Sequence, residues 1–198
     1  MYLRVLEFSG VNDIDGGVTF IREQAVPAVR QQKGLLGLTA SVDRSEGVVG
    51  VLSLWETPED REASFAALAT LRQQGEGVMG TPEVANFEQT VMEAVAPPGP
   101  GASLMVTRVN MDPTRVDDHV AQFKREVVSR MKEQPGFRAV RQMINRETGE
   151  GRVGTVWADP ESMQKWAEGS KDRREQAAAR GITLLEPSFR EIVLVELV

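Results

Sequence analysis

The chain of 198 residues has no cysteine, one histidine, one tyrosine and three tryptophans. Without cysteine there is no disulfide, no thiolate nucleophile and no Cys-ligated metal, so the fold must be stable without staples. Positive charge is also short. The 23 Lys and Arg residues against 29 Asp and Glu give a formal net charge of −6, with no basic block. Nucleic acid and anionic membranes both attract concentrated positive charge, so neither is expected as a partner, and a small neutral or apolar molecule fits better. No run approaches the roughly 18 apolar residues of a membrane span. The first residues, Met1-Tyr2-Leu3-Arg4-Val5-Leu6-Glu7-Phe8, alternate like a strand and not like a signal peptide, so the expected location is cytoplasmic.

What is present is an ordinary globular composition, 41% hydrophobic and 26% charged, enough for two modest cores. The one Pro/Gly-dense run, Ala96-Pro97-Pro98-Gly99-Pro100-Gly101-Ala102, sits near the midpoint and cannot continue a helix or a central strand. It sets the expected organisation: a first repeat at 1–95, a linker at 96–102 and a second repeat at 103–198.

The repeat itself is visible in two phrases, WETPED from Trp55 and WADPES from Trp157, which lie 102 residues apart. The same shift carries Arg44 onto Arg146, Gly47 onto Gly149, Phe87 onto Phe189 and Val91 onto Val193 without a gap. Each half reads as strand, helix, strand, strand, helix, strand. The first has a strand at 2–8, a helix at 18–33, a hairpin at 35–55, a helix at 58–72 and a strand at 87–95. In the second, a strand at 104–109 precedes a helix opened by Asp112-Pro113 and closed by Gly136. Strands at 137–145 and 151–158, a helix capped by Asp159-Pro160-Glu161 and a strand at 189–197 complete it. Pro27 is expected to kink the first helix. The glycine-rich stretch 73–82 is expected to be a mobile loop.

A βαββαβ unit is the ferredoxin-like arrangement, with both helices on one face of a four-stranded antiparallel sheet. The strands carry apolar residues toward both faces, so the bare face needs a cover, which the second copy supplies. Val140, Ile144, Val153 and Ile192 are expected on that covered face. Pro135-Gly136-Phe137, the strand ending in Trp157, the Asp159-Pro160-Glu161 helix start and Met163 to Trp166 together resemble the dimeric α+β barrel superfamily, in its antibiotic biosynthesis monooxygenase-like branch. Phe20 to Gly37 resembles the first helix and glycine turn of the same family. The fold class implied is α+β, with two ferredoxin-like βαββαβ repeats fused into an intramolecular dimeric α+β barrel. The two halves then pair within one chain, and further homo-oligomerisation would use barrel ends or helix faces.

The resemblance also implies a site. In that family the space between sheet and helices holds an aromatic, oxygen-reactive substrate, with a tryptophan where Trp55 and Trp157 stand. Packing of each indole into the sheet–helix corner is the competing role. Trp166 would face the same space from the second helix, and Phe123 lies on the apolar stripe of the first. The family's strand asparagine falls at Arg108 in the second half and at Glu7 in the first. Haem-degrading relatives ligate iron through a histidine on the second helix, and residues 161–178 contain none. His119 alone titrates near neutral pH without perturbation. There is no phosphate loop and no metal-ligand spacing, so no cofactor is implied. Two readings follow. One is a small-ligand binding barrel, with Trp157, Trp166, Trp55 and Phe123 around the ligand. The other is a cofactor-independent monooxygenase for an aromatic or phenolic molecule, with Arg108 on the phenolate and His119 taking the proton.

Overall fold

The computed structural model describes residues 1–197. In the first half β1 (Tyr2–Phe8) leads to α1 (Ile14–Phe20) and α2 (Val26–Arg30), then to β2 (Leu35–Asp43) and β3 (Val48–Trp55). Next come α3 (Pro58–Ala67), α4 (Ala69–Met79) and β4 (Glu83–Ala94). The second half runs β5 (Ser103–Asn110), α5 (Val116–Gln122), α6 (Ser129–Lys132), β6 (Phe137–Ile144) and β7 (Glu150–Trp157). It ends with α7 (Pro160–Glu168), α8 (Ser170–Ala178), the two-residue β8 (Thr183–Leu184) and β9 (Ser188–Leu197).

Local chemistry sets these boundaries. Thr57 Oγ1 accepts from the Asp60 amide at 3.0 Å, and Asp159 Oδ1 accepts from the Ser162 amide at 2.8 Å, so each repeat opens its second helix with a side-chain cap followed by proline. The hairpin turns use Gly47 at φ 64° and Gly149 at φ 76°, a left-handed backbone that other residues adopt at a cost. Gly149 is also pressed against the chain: a Cβ there would stand 1.9 Å from the Met111 carbonyl oxygen.

Contacts divide the chain into two compact units, Met1–Asn86 with the chain end from Glu191, and Phe87–Arg190. The cause is the last strand of each repeat. In the first unit the hydrogen-bonded order is β4-β1-β3-β2-β9, with β1 antiparallel to β3 from Tyr2↔Trp55 to Phe8↔Val49. There β9 lies along β2 from Gly37↔Leu197 to Val42↔Glu191. In the second unit the order is β9-β5-β7-β6-β4, and β4 lies along β6 from Glu88↔Ile144 to Ala94↔Ala139. Ion pairs of 2.7 Å from Arg146 to Glu88 and from Lys132 to Glu93 flank that seam. Each closing strand thus starts in the sheet of its own repeat and finishes in the other unit. Sequence repeats meet at 96–102, whereas compact units divide at 86/87 and 190/191.

Each unit packs its own core against its helices. In the second, Val116, Met131, Val140, Ile144, Val153, Trp157 and Met163 form one buried cluster, joined by Val91 from β4. Val140, Ile144 and Val153 therefore point toward the helices, and the expectation that they occupy the opposite face is corrected. Side chains alternate along a strand, so the opposite face instead carries Ala139, Arg141 and Met143 of β6. The Arg141 Nε is buried with no hydrogen-bond partner, and burial lowers that guanidinium's pKa. The first unit's cluster contains Phe8, Ile21, Leu38, Ala40, Val42, Val49 and Met79, with Leu194 from β9.

Two local expectations are corrected. Residues 73–79 are helical, as part of α4. Gly75 serves packing, since a Cβ there would lie 3.1 Å from the Phe20 ring, and Gly17 of α1 does the same from the other side, where a Cβ would lie 2.9 Å from Met79 Sδ; Gly77 faces open space. Pro27 sits in the first turn of α2, after a π-turn at Ile21–Ala25 closed by the Val26 amide on the Ile21 carbonyl. The second repeat has the same π-turn at Phe123–Val128, with Ser129 in place of the proline, so the proline does not cause it.

Candidate functional site

Each unit holds a cavity between its sheet and its helices. The second unit's cavity, of about 130 Å3, is walled by Met105, Val109, Phe123, Met131, Val153 and Trp166. The first unit's, of about 110 Å3, is walled by Phe8, Phe20, Leu38, Trp55, Phe65 and Met79. The π-turns contribute to both: Phe123 and Val127 line one cavity, Ile21 and Ala25 the other. A π-turn adds a residue to the helical turn and locally widens it, and such turns concentrate at functional sites.

The two repeated tryptophans end strands whose next residues cap a helix, which fixes them in the sheet–helix corner. Trp157 is fully buried, and its Nε1–H donates to Thr155 Oγ1 at 2.9 Å. Its ring meets Phe137 edge-on, with centroids 5.6 Å apart, and stacks on Trp166 at 5.7 Å and 30°. Trp157 thus backs the wall that Trp166 presents to the cavity. Trp55 is 2% exposed, donates from Nε1 to Ser53 Oγ at 2.9 Å and lines the first cavity.

His119, carried by α5, also lines the second cavity and is 4% exposed. Among the described residues nothing hydrogen-bonds its imidazole. Burial first, and then the Arg115 guanidinium, hold its pKa below the ordinary histidine value, while Asp118 and Asp112 pull the other way. At neutral pH it is an uncharged ring in the cavity wall. Gln142 of β6 is 3% exposed, and its amide oxygen accepts from Thr90 Oγ1 at 3.0 Å. Its amide hydrogens have no partner among the described residues.

Arg108 is placed elsewhere. It pairs with Arg152 across β5 and β7, while its neighbours Thr107 and Val109 line the cavity. By strand alternation the Arg108 side chain leaves from the other face of the sheet. His119, Phe123 and Trp166 come together, with Trp157 behind them, and Arg108 does not join them.

Cations do line the cavity, among them Arg173, which the sequence did not place at the site. The second helix breaks at Gly169 (φ −81°, ψ 8°), leaving the Trp166 carbonyl without a helical donor. Arg173 Nη2 fills that role at 2.6 Å, and the guanidinium stacks 4.1 Å over the Trp166 ring. Burial, then the neighbouring Arg130, lower the Arg173 pKa to about 10. The first unit repeats the device: α3 stops at Leu68, and Arg72 Nη1 donates to the Phe65 carbonyl at 2.6 Å while stacking 3.6 Å over the Phe65 ring. Arg4 also enters that cavity, where Glu62 and Asn86 receive it at 2.8 and 2.9 Å.

Comparison with known proteins places this geometry. The chain is 25% identical over 180 residues to "Uncharacterized protein Rv2557" of Mycobacterium tuberculosis, spanning 90% of this chain and 78% of that one. It superposes on an anthrone oxidase-like protein with a TM-score of 0.69 at 15% identity, covering 98% of this chain and 92% of the other. The chain has the dimeric α+β barrel fold. A ferredoxin-fold protein from Listeria monocytogenes, described as related to antibiotic biosynthesis monooxygenases, matches this barrel with a TM-score of 0.57 at 9% identity, over 97% and 95% of the two chains. No family model matches the sequence. Among the described residues no helix is long and apolar enough to cross a membrane, and no cluster of three His, Asp or Glu side chains could hold a metal ion.

Proposed function

We propose that the protein binds a small, largely apolar or aromatic molecule in the cavity of its second unit. The observation that carries this reading is an apolar cavity of about 130 Å3 in which a buried, unpartnered His119 and the Arg173-stacked Trp166 meet. Pockets of this make-up, apolar walls with a few convergent polar groups, are where small molecules bind. The first unit's cavity has similar apolar walls but no histidine, and Arg4 reaches into it already paired. On this reading the working site lies in the second unit.

A second reading has specific support. The fold neighbours include an anthrone oxidase-like protein, and His119 is held neutral, as a base for an acidic phenol or anthrone carbon must be. On that reading the site acts without a cofactor: it orients the substrate against Trp166, removes one proton through His119 and keeps water out while the substrate's own electrons reduce oxygen. Titration of a panel of small aromatic molecules against intrinsic tryptophan fluorescence tests binding, and oxygen uptake with anthrones and hydroquinones tests turnover. Binding without uptake above an H119Q control leaves the ligand-binding reading alone. No binding by any member of the panel removes both.

A further inference from the structure

Every charged side chain lining the second unit's cavity is a base: Arg130, Arg173 and Arg180, with His119 the remaining titratable group and no carboxylate in the wall. This is not a general property of a chain whose formal net charge is −6. Of these arginines Arg180 has an ion-pair partner, Glu126 at 2.9 Å, which Arg125 also engages at 3.3 Å. Neither Arg173 nor Arg130 has an ion-pair partner among the described residues. Arg130 Nε donates to the Glu126 backbone carbonyl at 2.8 Å. Arg173 uses only Nη2, toward the Trp166 carbonyl at 2.6 Å and Ser170 Oγ at 3.1 Å. Its Nε and Nη1 hydrogens remain unbonded among the described residues.

Capping the helix break accounts for one nitrogen of Arg173 and leaves the rest of the fork unexplained. A half-buried guanidinium with a second guanidinium nearby, no ion-pair contact among the described residues and only the more distant charge of Asp172 pulling the other way is costly to hold, and an anion seated between the two arginines offsets that cost. The first unit makes the contrast. There two arginines line the cavity: Arg72, the counterpart of Arg173, and Arg4, which already has its anion in Glu62 at 2.8 Å, with Asn86 Oδ1 and the Arg61 carbonyl completing its bonds at 2.9 Å each.

We infer that the ligand of the second unit's cavity is an amphipathic organic anion, an aromatic or apolar body carrying one acidic group that meets Arg173, with Arg130 as the second positive charge. The inference rests on the small-ligand reading above and adds the charge of the ligand to it. The apolar body lies against Phe123, Val153 and Trp166, and Gln142 offers its amide hydrogens inside the cavity.

The test is a matched pair of probes, 2-naphthoate and its neutral isostere 2-naphthamide, titrated calorimetrically into the full-length protein near neutral pH. The expected result is about tenfold tighter binding of the naphthoate, with the preference shrinking as ionic strength rises. In R173Q the ratio of the two affinities should fall to about one. R130Q changes a residue whose one side-chain hydrogen bond is to the backbone carbonyl four residues before it, so it tests the same charge should R173Q fail to fold, and it should reduce the ratio about threefold. Equal binding of the two probes to the parent protein would overturn the anion assignment and leave the small-ligand reading standing. Binding of neither would remove both. A naphthoate preference that survives in R173Q and R130Q alike would place the anion elsewhere and overturn the inference.

Discussion

Replacing Trp157 by alanine separates packing from ligand contact at the repeated tryptophan. The indole is fully buried, donates to Thr155 Oγ1 at 2.9 Å, and makes ring contacts with Phe137 at 5.6 Å and Trp166 at 5.7 Å. Core Trp→Ala changes cost roughly 3–5 kcal/mol. Each aromatic pair adds on the order of 1 kcal/mol beyond area, so W157A belongs at the upper end, about 5 kcal/mol. Trp55 is as buried but has no ring partner among the described residues. W55A should therefore cost about 3 kcal/mol, the lower end of the same range. For a chain of this length each kcal/mol moves the melting temperature by roughly 2–4 °C. W157A should then melt about 10–20 °C below the parent and about 4–8 °C below W55A. Calorimetric melting of both variants, with W157F as a partial restoration that keeps the edge contact to Phe137, is the assay. If W157A melts within about 3 °C of the parent, less than the loss of one well-packed side chain, Trp157 is not a packing residue and the account of the corner is wrong.

The hairpin glycines give a graded pair. G149A forces a left-handed Cβ to within 1.9 Å of the Met111 carbonyl and should cost more than 2 kcal/mol, while G47A, 3.1 Å from the Val11 carbonyl, should cost about 1, both read by urea denaturation. His119 gives a pH signature. Its folded pKa is lowered, so as pH falls below about 6.5 the unfolded chain takes up the proton first. Stability should be at its plateau above that pH, decline down to the folded pKa and lose that slope in H119Q. A parent and H119Q with parallel profiles between about pH 5 and 6.5 would refute the burial argument. Residues 103–198 expressed alone would hold β9 without β2 and β6 without β4, and two copies should lay β9 on each other's β6 and sediment as a homodimer. A stable, soluble monomer would show that the strand exchange is dispensable.

Much of the fold was legible because it depends on patterns that survive sequence divergence. The 102-residue register needs only strand alternation, helix caps and turn glycines, and Thr57-Pro58, Asp159-Pro160, Gly47 and Gly149 all perform those roles. Which face of a strand meets the helices was not legible, because both faces carry apolar residues. Val140, Gln142 and Ile144 share a face with two hydrophobic members, but so do Ala139 and Met143, flanking Arg141. The bulge between Phe137 and Ala139 shifts the alternation, so Phe137 and Val140 enter the same cluster. Glycine in 73–82 suggested a loop for a similar reason: at Gly75 composition records the missing side chain but not the Phe20 ring of the neighbouring helical segment that occupies its space.

The site was harder, and Arg173 shows why. In an unbroken helix, residues seven apart are separated by about 10.5 Å along the axis, too far for a guanidinium to sit on the ring of Trp166 and bond its carbonyl at once. The break at Gly169 shortens that path and frees the carbonyl that attracts the arginine. Glycine inside a helical pattern was the one available signal for it. In the first unit Leu68 breaks the helix without any such signal, and Phe65 with Arg72 repeats the pair at the same seven-residue spacing. The two pairs are offset by 101 residues, one less than the register of the repeat. A gapless alignment consequently sets Ser64 opposite Trp166 and hides the correspondence. Two repeats of low identity thus both place a stacked arginine at the cavity wall, through different breaking residues, and in each the arginine bonds the carbonyl of the ring residue it covers.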